Sequence, residues 1–121
     1  MSKNPNYASF HLFTKFSVAF YDKPKHWNKS MDLDNNGDFK VDKHSVARAS
    51  KVYIDNGVAF CMFVNKKKYN YRHIIHESTH IIDFLMEEIG IQCNETEFRA
   101  YMIEDLSVRL IKYCRKKYKA T

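Results

Sequence analysis

The chain has 121 residues, a length that suits one domain spanning 1–121 with enough chain for a proper core. Hydrophobic residues at 45% and aromatics at 15% exclude a disordered polymer, and a formal net charge of +6 points to a basic surface. No run reaches the apolar length of a membrane span, and Met1–Asn6 carries no apolar signal-peptide core, so neither a membrane partner nor a secretory route is expected.

Residues 8–21 alternate with period two. Phe10, Leu12, Thr14, Phe16, Val18 and Phe20 share one face, which predicts a strand ended by Asp22–His26. Further on, Asp32, Asp34 and Asn36, followed by Gly37 and Asp38, match the first half of an EF-hand loop. The position that needs a bidentate Glu carries Lys43, and no helix signal precedes the loop. The segment therefore reads as an Asn-Gly turn with a solvated acidic flank rather than a Ca²⁺ site. Residues 50–64 read as a hairpin turning at Asp55-Asn56-Gly57. The basic turn Lys66–Lys68 then leads into a helical period over 69–89, with apolar residues at 74, 75, 78 or 79, 81, 82, 85, 86 and 89. Gly90 is placed to end this helix. A second helix is predicted from Glu95 to about Lys117, with Phe98, Tyr101, Met102, Leu106, Leu110, Ile111 and Cys114 as its apolar stripe and Glu95 as a capping residue. The expected fold class is α+β, a small antiparallel or mixed sheet packed against two long C-terminal helices.

The first helix contains His76-Glu77-Ser78-Thr79-His80, an HExxH sequence. Residues i and i+4 of a helix lie on one face, so both imidazoles can bind one Zn²⁺ through ring nitrogens. The residue after the first His then lies beside the metal, where the Glu77 carboxylate can take a proton from water. A catalytic zinc site has three protein ligands and an open position. Glu97, early in the second helix and followed by small Ala100, is the preferred third ligand. Glu104 and Asp83 are the alternatives, and Asp83 could instead orient a ligand His. Tyr101, four residues after Glu97, could donate a hydrogen bond to a tetrahedral intermediate, though an aromatic on an apolar helix is more often core. His73, three residues before the motif, is a surface residue or a lining one.

HESTHIIDFLMEEIGI followed by ETEFRAYMIEDL resembles the zincin metallopeptidases of the Glu-ligand kind, and more closely the small zincin-like proteins of tailed phages. The resemblance covers residues 70–110. It implies His76, His80 and Glu97 as ligands to one Zn²⁺ per chain, Glu77 as general base and a protein or peptide as substrate. It also nominates a strand of the 50–64 region to hold an extended peptide. The longer HExxHxxGxxH pattern is absent, which disfavours the metzincins.

The function expected is thus a zinc-dependent metallopeptidase. The alternative is a structural or interaction protein that keeps the fold and metal without turnover, such as a virion or host-takeover component. Three widely spaced cysteines, Cys61, Cys93 and Cys114, form neither a disulfide framework nor a CxxC pair, which fits a reducing cytoplasmic setting. The basic residues Lys112, Arg115, Lys116, Lys117 and Lys119 complement a helix C-terminus. With no zinc-finger spacing or aromatic RNA-binding signature beside them, nucleic acid is the weaker expectation for a partner. Nothing in the sequence fixes an oligomeric state.

Overall fold

The alternation over 8–21 folds back on itself instead of running straight. In a computed structural model, which describes residues 7–13, 15–33, 40–54, 57–91 and 95–118, it forms two antiparallel strands, β1 (Ala8–Phe13) and β2 (Phe16–Tyr21). Phe10 pairs with Val18, so even-numbered residues of both strands face the same way and the apolar period survives the turn. Helix α1 (Pro24–Leu33) follows, then the hairpin of β3 (Ala47–Ile54) and β4 (Gly57–Val64). Ile54 pairs with Gly57, so Gly57 opens β4 instead of sitting in the turn, with φ at 143° that suits glycine. Helices α2 (Tyr71–Ile89) and α3 (Thr96–Lys117) complete the chain.

The sheet order is β1-β2-β4-β3, with β2 and β4 parallel and the other pairs antiparallel. Strand β4 therefore lies inside the sheet and is buried on both faces, which explains its unbroken apolar run. On one face Val18, Phe20, Phe60, Met62 and Val64 pack with Ile74, Ile81, Ile82 and Leu85 of α2 and Leu106 and Leu110 of α3. On the other face Tyr21, Val52, Cys61 and Phe63 pack with Trp27 and Met31 of α1. The α+β class and the two C-terminal helices on the sheet are as expected; α1 is not. It lies directly upstream of the EF-hand-like stretch, where no helix signal is legible. Of that stretch, Asp34 and Asn36, and the side chain of Asp32, lie outside the described residues.

Helices α2 and α3 form an antiparallel hairpin. Asp83 meets Arg99 near the turn, and the rings of Tyr69 and Tyr118 meet at the far end, 6.1 Å between centroids. The hairpin is latched to the sheet there. Tyr118 Oη donates to Asp22 Oδ2 at 2.5 Å, and Lys117 Nζ lies 3.5 Å from the same oxygen. Burial pushes the Asp22 carboxyl up, but the Tyr118 hydroxyl and the Lys117 ammonium outweigh it and hold the pKa below the ordinary value. A carboxyl depressed in the folded state stabilises above its unfolded pKa, and that stability is lost as pH falls through the folded value. Tyr118→Phe is thus expected to cost about 1–2 kcal/mol at neutral pH, with a smaller difference from wild type in acid. Urea denaturation at both pH values checks this; an equal or larger deficit in acid would contradict it.

Cys61 and Cys114 are both buried and neither is in a disulfide among the described residues; burial pushes the Cys114 thiol up to about 12. Cys93 lies outside the described residues. Among the described residues no helix is long and apolar enough to cross a membrane.

Candidate metal centre

The motif helix is fixed at both ends by local sequence. Asn70 caps it, accepting from the backbone N–H groups of Arg72 at 2.9 Å and His73 at 3.3 Å. His73 Nδ1 accepts in return from the Asn70 N–H at 3.0 Å, closing a capping box in which His stands where Glu or Gln is usual. His73 is therefore a capping residue. At the other end Gly90 adopts φ 81°, the Gly90 N–H points to Glu87 O, and Ile91 N–H donates to Met86 O at 3.0 Å. This is a Schellman ending, which needs the left-handed conformation that Gly adopts without strain.

Between these stops the helix places His76 and His80 on one exposed ridge. Their Nε2 atoms lie 3.2 Å apart and their rings meet edge to face, with centroids 4.8 Å apart. Two imidazoles bound tetrahedrally at ordinary Zn–N lengths have their nitrogens about 3.3–3.4 Å apart. The pair thus fits two adjacent positions around one ion.

Glu77 is half-buried. Burial pushes its carboxyl above the ordinary range, while the positive fields of His76, His80, Arg48 and His73 pull it back only in part. Arg48 comes from β3, the sheet-edge strand packed beside α2. Nothing in the sequence flagged Arg48, because only the strand's packing against a helix far along the chain brings it near the motif. Lys51, three residues on, ties β3 to α2 through Glu87 at 2.9 Å and Glu88 at 3.8 Å, with its side chain 15% exposed.

The third donor is not gathered with this pair. Among the described residues no group of three His, Cys, Asp or Glu side chains stands close enough to hold a metal. Asp83 is engaged by Arg99, whose Nε and Nη2 donate to its two oxygens at 2.7 and 3.2 Å. Arg99 is a second residue that sequence reasoning missed. Counting back along α2 and forward along α3 from that ion pair brings His80 level with about residues 102–103 of α3. Glu104 is thus near the level of His80, and Glu97 lies about a turn and a half beyond it. Both are exposed. Ala100 is also exposed, so it does not mediate close helix approach; the small side chains inside the packing are Ser78 and Ser107, whose buried hydroxyls have no hydrogen-bond partner among the described residues. Glu95 holds the N-cap position of α3 without a side-chain cap bond. Tyr101, counted in the apolar stripe, is 66% exposed and shares the solvent-facing ridge of Glu97.

Comparison with protein-family models, with curated proteins and with solved structures finds no match to this chain.

Proposed function

We propose that this chain is a zinc-dependent, metallopeptidase-like protein whose centre is built on His76, Glu77 and His80. The observation that carries the reading is the 3.2 Å separation of the two Nε2 atoms, with a half-buried carboxylate one residue from the first of them. A Zn²⁺ held there supplies Lewis acidity to a peptide carbonyl and to water. The protein's own groups do the rest. Glu77 accepts a proton from the attacking water at a carboxylate oxygen and returns it to the leaving amine. Strand β3 presents an outer edge with no strand partner among the described residues, where an extended peptide can add by backbone hydrogen bonds. Glu97 is the third ligand that the resemblance implies, and Glu104 is the carboxylate that helix register favours.

Elemental analysis of the purified protein tests this. One Zn²⁺ per chain should co-purify, and His76→Ala and His80→Ala should each remove most of it. Full retention of metal in both variants would sink the assignment. Among the carboxylates, the resemblance expects Glu97→Ala to weaken zinc binding more than Glu95→Ala, Glu104→Ala or Asp83→Ala, whereas the helix register expects Glu104→Ala to be the damaging change. If Glu104→Ala does the damage instead, the ligand comes from about two turns further along α3, and the Glu97 assignment falls.

A further inference from the structure

The fold brings together two basic clusters that lie far apart in the sequence. The turn Lys66–Lys68 sits at the entry to α2, and Lys112, Arg115, Lys116 and Lys117 sit at the exit of α3; all seven are exposed. Tyr69 and Tyr118, which adjoin the two clusters, are in ring contact. Asp22 receives the Lys117 ammonium at 3.5 Å and also feels the charge of Lys66. The antiparallel hairpin thus gathers both clusters at one end of the molecule. Among the described residues none of Lys66, Lys67, Lys68, Lys112, Arg115 and Lys116 is ion-paired.

Helix-dipole stabilisation explains only half of this charge. Cations in the last turn of α3 complement its C-terminus, but cations beside a helix N-terminus are unfavourable. Lys66–Lys68 and the exposed Arg72 surround the N-terminus of α2, whose first turn has no acidic residue to compensate. Asn70 and His73 already satisfy the capping N–H groups of this end, so what it adds to the lysines is the positive end of the helix dipole, a field that favours phosphate. Beside it Tyr71, the first residue of α2, is 46% exposed. Lysines around an exposed aromatic ring are what a single strand needs, since phosphates take the charge and an unstacked base takes the ring. A duplex or an acidic protein has no use for the ring.

We propose that this end of the molecule binds single-stranded nucleic acid without sequence preference, with Lys66–Lys68 and the α3 terminus on phosphates and Tyr71 as a stacking platform. The proposal does not depend on the metal centre. Fluorescence anisotropy with a labelled mixed-sequence DNA strand, using the full chain, tests it. Binding should weaken steeply between about 50 and 200 mM salt. The triple variant Lys66→Gln, Lys67→Gln, Lys68→Gln should raise Kd by about tenfold or more and flatten the salt slope. Arg115→Gln with Lys116→Gln should weaken binding in the same sense. Tyr71→Ala should weaken strand binding by about fivefold or more while leaving duplex binding as it was. Lys15→Gln with Lys29→Gln, at the opposite end of β2 and on α1, should change little. Circular dichroism of each variant confirms folding. The proposal is overturned if the strand does not bind, if the triple and Tyr71 variants bind as wild type, or if duplex DNA, polyglutamate or anionic phospholipid vesicles bind as tightly as the strand.

Discussion

Glu77→Gln is expected to fold, to keep its zinc and to lose peptide hydrolysis by about 10²-fold or more, the range that positioned acid–base groups contribute. Gln keeps the size and the hydrogen-bonding reach of Glu but has no carboxylate to take a proton. Glu77 is half-buried and is not among the proposed ligands, so exchanging it for a neutral isostere removes charge from a poorly solvated position and should not lower stability. Metal content is the control that separates loss of the base from loss of the centre. Because the substrate is unknown, a peptide library read by mass spectrometry is the suitable assay. Cleavage by the variant at the wild-type rate would end the proposed role for Glu77. A library untouched by either protein, with zinc in both, would instead support the non-catalytic alternative, a scaffold that keeps the fold and the metal.

What was legible in the sequence was local. The two long helices announce themselves by period, and their ends by Asn70 and Gly90, because capping is decided within a few residues. The β3–β4 hairpin was legible for the same reason. The β1–β2 turn was not, since Phe10 and Val18 pair in a register that keeps even-numbered residues on one face, so the alternation shows no break. Helix α1 was missed because it is only ten residues long and polar on balance, with little beyond Trp27 and Met31, at i and i+4, to mark an apolar face. What holds it is tertiary: Trp27 and Met31 in the second core, and the Asn28 side chain exchanging two 2.8 Å hydrogen bonds with the backbone of Val41. At the candidate metal centre the His pair and Glu77 follow from spacing on one helix. A third ligand does not, because it depends on how far α3 slides along α2 and how it is rotated. Arg99 shows this most directly, since only the packed register of the two helices sets it against Asp83, whose oxygens it occupies.

That second core makes a sharp test of the fold itself. Trp27 is fully buried, with its ring edge to face on Tyr21 at 5.7 Å and tilted on Phe63 at 6.1 Å. A helix of ten residues has too few turns to persist in water alone, so α1 depends on this docking. Trp27→Ala should therefore cost about 3–5 kcal/mol, a large part of the roughly 5–15 kcal/mol by which domains are stable. Trp27→Phe, which keeps an aromatic ring in the site, should cost clearly less. As the chain has one Trp, far-UV circular dichroism in a guanidinium titration must follow both variants, while wild-type Trp fluorescence reports α1 docking directly. Because α1 and α2 lie on opposite faces of the sheet, the folded fraction of Trp27→Ala should still hold zinc if His76 and His80 are ligands. A loss under about 1 kcal/mol would mean that α1 is only loosely docked and that the sheet is stabilised by the α2–α3 face alone.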